Sequence, residues 1–127
     1  MNVDLKGNVI RVICDYLTEK GFTDFKSHLD EMKDPAKIVQ DSTGKVLTPD
    51  LTARNEDGKY IFETELDIPE NKENFIQKCR IFEAAALKNN GKLYLIVPVE
   101  NFDSILQMVN LNKLENIGII KIDIGNN

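Results

Sequence analysis

Asp50, Glu63 and Glu65 are the residues of this sequence whose types and spacing suit chemistry. Side chains along a strand alternate with a period of two, so Glu63 and Glu65 share one face. Between them and Asp50 lies Asn55-Glu56-Asp57-Gly58, a run suited to a hairpin turn. A regular hairpin brings Asp50 level with Glu63 to Glu65, where residues on neighbouring strands lie about 5 Å apart. Carboxylates that close repel one another unless protons or a cation neutralise them. Their oxygens suit Mg²⁺, which takes one or two carboxylates and keeps its other waters. An ion so held polarises a phosphodiester and activates water for attack. The plainer alternative is that Glu63 and Glu65 line the wet face of an exposed hairpin, although Ile61 on the same face argues against full solvation.

Other chemistries lack their residues. His28 is the single histidine and sits in a polar stretch with Lys26, Asp30 and Glu31, so no histidine cluster for zinc exists. Cys14 and Cys79 fall within helical patterns and read as small buried apolar residues. Asn89-Asn90-Gly91-Lys92 follows a helix instead of opening one and lacks the spacing of a phosphate-binding loop. The aromatic residues occupy core-like positions and form no basic-aromatic surface for single strands. Sixteen basic residues against twenty-one acidic give a net charge of −5, which weighs against avid non-specific nucleic-acid binding. A basic rim around the carboxylates would be needed to offset it.

The elements that must position these residues follow from periodicity. Val9, Ile10, Ile13, Cys14 and Leu17 recur at helical spacing, and Glu19-Lys20-Gly21 ends that helix. Phe22 and Phe25 lead into a polar connector over 26–35. Three extended segments are expected at 37–40, 46–53 and 59–66, turned at Asp41-Ser42-Thr43-Gly44 and at Asn55–Gly58. In the third, Tyr60, Phe62, Thr64 and Leu66 face one way and Ile61, Glu63 and Glu65 the other. A helix is expected over 72–88 with Phe75, Cys79, Phe82 and Ala86 on one face, closed by Asn89-Asn90-Gly91. Leu93 to Val97 reads as a strand covered on both faces. Asn101 is placed to cap a short helix carrying Phe102, Ile105, Leu106 and Val109, and 117–124 is a β-branched final strand. The helical crossover from the third strand to the fourth makes that pair parallel and central.

At 127 residues, with 42% hydrophobic and 29% charged side chains, the chain reads as one folded α/β domain over 1–127. No apolar stretch reaches the length of a membrane span, and the N-terminus lacks the basic-then-apolar order of a secretory signal. A cytoplasmic protein is the expectation.

The order helix, three-strand meander with Pro49-Asp50 and Glu63-Thr64-Glu65, helix, strand resembles the PD-(D/E)xK nuclease superfamily. The resemblance covers roughly residues 3–124 in topology and rests in motif on Pro49, Asp50 and Glu63. It implies the restriction-endonuclease-like fold, a single mixed sheet of about five strands flanked by helices. It also implies Asp50 and Glu63 as ligands of Mg²⁺ and nucleic acid as the partner. Two departures bear on activity. Glu65 stands where the family places a lysine, as in a minority of restriction enzymes; in other members the lysine has moved to the following helix, where Lys78 or Lys72 would stand in. Many members also carry a glutamate in the first helix at a spacing from its glycine where this chain, counting from Gly7, has Arg11.

Two functions follow from the resemblance. One is a Mg²⁺-dependent phosphodiester hydrolase in which Asp50 and Glu63 hold the ion, Glu65 holds it or orients water, and Lys78 assists. The other is a catalytically inactive nuclease-like domain acting as a binding or assembly module. The segment 37–40 would offer an edge for a homodimer, a state the sequence leaves open.

Overall fold

The computed structural model describes Asp4–Gly125; residues 1–3 and 126–127 of the expected domain lie outside the described residues. Helix α1 spans Leu5–Glu19. The Asp4 carboxylate accepts the Gly7 backbone N–H at 2.9 Å and so caps the first turn. Its buried stripe is the expected one, Val9, Ile10, Ile13, Cys14 and Leu17. Gly21, at φ 94°, takes the chain out of the helix through the left-handed region that glycine adopts without strain.

Among the described residues seven strands and two further α-helices follow: β1 (Thr23–Ser27), β2 (Ile38–Gln40), β3 (Lys45–Leu47), β4 (Leu51–Arg54), β5 (Lys59–Thr64), α2 (Lys72–Lys88), β6 (Leu93–Pro98), α3 (Phe102–Leu111) and β7 (Ile117–Ile122). The main sheet has the order β1-β4-β5-β6-β7. Its first three strands are antiparallel, whereas β5, β6 and β7 run parallel. The fold is therefore α/β, one mixed five-stranded sheet flanked by helices. The crossover through α2 makes β5 and β6 a parallel pair, as the helical connection requires.

Three expectations are corrected. The stretch after Phe22 is not all connector, because Thr23–Ser27 is the edge strand paired with β4. Thr23 and Phe25 favour strands, but the run is short, and Asp24 interrupts it at φ 55° where the register slips. Pairing with β4 imposes the extended form, with Phe22 and Phe25 packed against the α1 cluster. The segment 46–53 is two strands, because Pro49 has no N–H to donate to a ladder. Lys45–Leu47 pairs with Ile38–Gln40 in a separate two-stranded hairpin, and the chain joins the main sheet only at Leu51. Segment 37–40 is thus not an edge of the main sheet. Finally, Asn101 precedes α3 without a side-chain cap bond; its amide instead donates to the Leu66 carbonyl at 3.3 Å.

The sheet is covered on both faces. Phe75, Cys79, Phe82 and Ala86 of α2, with Ile105, Met108 and Val109 of α3, pack on Ile61, Leu93, Leu95 and Val97. On the other face the α1 stripe packs on Leu51, Ala53, Phe62 and Ile96. Ile61 and Phe62 lie in different clusters, as the period of two requires. Among the described residues no helix is long and apolar enough to cross a membrane.

Candidate functional site

The β4–β5 register pairs Leu51 with Phe62, so Asp50 stands one step on, opposite Glu63. Two reciprocal contacts close this end of the hairpin. The Asp50 backbone N–H donates to Glu63 Oε2 at 2.5 Å. The Thr64 backbone N–H and hydroxyl both donate to Asp50 Oδ2 at 2.8 Å. A regular strand would send Asp50 and Thr64 to opposite faces. The break at Pro49 frees Asp50 to turn back onto Thr64.

Glu63 is buried at 4% exposure. Burial and the neighbouring Asp50 charge push its carboxyl up to about 8, against the opposing pull of the Asp50 N–H and Lys78. Glu65 lies just past β5, but its backbone N–H still donates to the Ile96 carbonyl at 2.9 Å. That bond continues the ladder to β6 and keeps Glu65 on the Glu63 side. Burial holds its carboxyl above the usual range even though Lys78 pulls it down.

Lys78 reaches the carboxylates from α2. It lies beside the buried stripe, with its ammonium 5.7 Å from the centre of the Phe75 ring. That ammonium pairs with Glu65 and stands 3.7 Å from Glu63 Oε1. Burial pulls its pKa down, yet Glu65 and Glu63 outweigh burial and hold it above the ordinary lysine value. Lys6, from the first turn of α1, supplies a second cation, with its ammonium 2.6 Å from Asp50 Oδ1.

Asp50, Glu63, Glu65 and Lys78 are therefore brought together, and Glu63 and Glu65 do not line a wet face. Lys6 and Thr64 join them without having been singled out from the sequence. A lysine in a helix's first turn carries no signal of its target, and strand alternation points Thr64 to the wrong face. Lys72 is exposed at the start of α2 and, among the described residues, pairs with none of these acids. Arg11 lies elsewhere, forked onto Glu31 at 2.7 and 3.1 Å. His28 is exposed. Cys14 and Cys79 are buried free thiols, pushed up by burial to about 11 and about 12.

Three carboxylates face two ammonium groups. Burial and the Asp50 charge favour the protonated form of Glu63. The donors are all oxygen, as Mg²⁺ prefers. Among the described residues no three acidic, histidine or cysteine side chains converge as one ligand set. Both oxygens of Asp50 are engaged, Oδ1 by Lys6 and Oδ2 by Thr64. Glu65 is engaged by Lys78. Comparison with protein-family models, with curated proteins and with solved structures yields no match to this chain.

Proposed function

We propose that this chain is a cytoplasmic PD-(D/E)xK-type domain that binds a divalent cation at Asp50 and Glu63 and hydrolyses a phosphodiester of a nucleic acid. The observation that carries this reading is the placement of Asp50 directly opposite a buried, proton-holding Glu63, with Lys78 projecting from the next helix onto the same spot. Magnesium, when bound, would supply the Lewis acidity that polarises the phosphate. Thr64 fixes Asp50 Oδ2 through two hydrogen bonds and so orients the carboxylate. Lys78 pulls the Glu65 carboxyl down against the effect of burial, and its own positive charge faces the region where negative charge would develop during attack.

A second reading rests on its own observation. Lys6 and Lys78 already neutralise Asp50 and Glu65, which suits a domain that has kept the fold and serves as a binding or assembly module. Self-association through the β2–β3 hairpin, where Val39 and Val46 are both about half exposed, belongs to that reading.

Calorimetric titration of Mg²⁺ or Mn²⁺ into the wild type and Asp50→Ala separates the two. Binding in the wild type, lost in Asp50→Ala, is expected, followed by cation-dependent cleavage of DNA or RNA. Absence of binding at millimolar ion defeats the hydrolase reading, and binding without cleavage of either polymer favours the module.

A further inference from the structure

The two edges of the main sheet differ. At β1 the Ser27 backbone N–H donates to the Lys33 carbonyl at 3.0 Å, Lys33 bridges Lys26, and Asp24 at φ 55° breaks the register. An edge so covered and irregular resists further pairing. β7, at the other edge, pairs on its outer side with no strand among the described residues. It carries no proline and no register shift against β6, and Ile117, Ile119, Ile120 and Ile122 are all partly exposed. The Leu93 N–H donates to the Asn116 carbonyl at 3.3 Å. Alternate residues of a parallel strand turn both backbone groups to the same neighbour. Gly118, Ile120 and Ile122 therefore serve β6, and Ile117, Ile119 and Lys121 turn their groups outward. Beside this edge α1 exposes an apolar pair one turn apart, Val12 at 57% and Tyr16 at 46%. They line a groove with Ile120 and Ile122. On the opposite face Phe102 and Leu106 of α3 line another with Ile117 and Ile119.

We propose that β7 is a dimerisation edge, on which the β7 strands of two copies of this chain pair antiparallel and join their sheets into one. Outward groups must meet outward groups. A two-fold axis at Ile119 matches Ile117 with Lys121 and uses the N–H and C=O of all three residues. That axis runs normal to the sheet, so both α1 helices fall on one face and bring Val12 and Tyr16 of each copy to the seam. Charge favours a second copy in this orientation. Lys121 is the one charged residue of β7, and its ammonium lies 4.3 Å from the centre of the Phe102 ring, on the α3 face. Antiparallel pairing holds the two Lys121 about 13 Å apart along the seam, at about 3.3 Å per residue. It also sets each diagonal to Glu115 of the second copy, which is exposed and lines the same α3-side groove. Parallel pairing would stack the lysines. The covered β1 edge ends the assembly at two. This pairing needs no cation at Asp50 and uses a different surface from the β2–β3 hairpin.

The test is sedimentation velocity of the full chain from micromolar to millimolar concentration, with Lys121→Pro, Val12→Glu and Val46→Lys beside the wild type. The wild type should sediment as a monomer–dimer equilibrium. Lys121→Pro removes an outward N–H while sparing the ladder to β6, and should weaken the dimer by about ten-fold or more. Val12→Glu changes only the exposed helix surface, so it should melt like the wild-type monomer and weaken the dimer by a similar factor. Val46→Lys, on the hairpin, should dimerise like wild type. In the wild type, hydrogen exchange of the Ile117, Ile119 and Lys121 amides should slow as concentration rises. A wild type monomeric at every concentration overturns the proposal, whether Lys121 merely blunts the edge or the edge serves a strand of another protein. A dimer untouched by both Lys121→Pro and Val12→Glu, or one lost in Val46→Lys alone, overturns it as well.

Discussion

Burial makes Glu63 costly to ionise. Its carboxyl is raised from 4.5 to about 8 by burial first and by Asp50 second. The native state thus keeps a proton that the unfolded chain gives up. Between these two values the unfolded state binds fewer protons, so stability falls as pH rises. The contribution is fully present below about 4.5, is lost progressively toward 8, and is gone above it. Glu63→Gln keeps an oxygen for the Asp50 N–H and removes the titration. Thermal unfolding from pH 5 to 9 in metal-free buffer should show a wild type that weakens across this window. The variant should lack that component, so its advantage grows with pH. A wild-type advantage at pH 9 would contradict the assignment of Glu63 as the proton holder. At this scale the sequence pointed to Asp50, Glu63 and Glu65 by type and spacing, and only the family resemblance pointed to Lys78 or Lys72, of which Lys78 reaches the acids. It was silent on Lys6 and Thr64, whose roles depend on a helix end and a strand break arriving at one point.

At the scale of elements, the β4–β5 turn meets the α2–β6 turn at the end of the hairpin away from the acids. The Lys59 backbone N–H donates to the Asn89 carbonyl at 3.0 Å, and the Ile61 N–H to the Lys92 carbonyl at 3.2 Å. Gly58 and Gly91 permit this approach. A Cβ on Gly91 would run into the Lys59 carbonyl, and one on Gly58 into the Asn89 and Asn90 carbonyls. These neighbours are backbone and cannot swing aside. Gly91→Ala should therefore cost about 1–3 kcal/mol or more, of the order seen for overpacked cores, measured as a lowered denaturant midpoint. A midpoint equal to wild type would show that the two turns do not pack this closely. The sequence marked both glycines as turn residues. It held no sign of the contact between them, because that contact is made by backbone of two distant segments.

For the whole molecule, the two apolar clusters sit on opposite faces of one sheet and share β5 and β6. Leu93, Leu95, Ile96 and Val97 are all fully buried. Amides of β5 and β6 should consequently exchange only through global unfolding. The β2–β3 hairpin has three residue pairs and two exposed valines, and it should open locally and exchange far faster. Native-state hydrogen exchange measures both, and equal protection in hairpin and central strands would contradict a hairpin held apart from the main sheet.

Periodicity along the chain sufficed for α1, α2, α3, β5, β6 and β7, because each buries a face whose spacing is written locally. The α/β class followed, as did the parallel central pair, since a helix between two strands must cross over the sheet. Thr23–Ser27 became a strand only through its partner β4, and Pro49 divided one expected strand between two sheets. The same division turned Asp50 back onto Thr64 and exposed its other oxygen to Lys6. Alternating side chains place acids on a face by local geometry. Which of them share a proton, a lysine or an ion depends on distances between segments far apart in the chain, and those are set by packing.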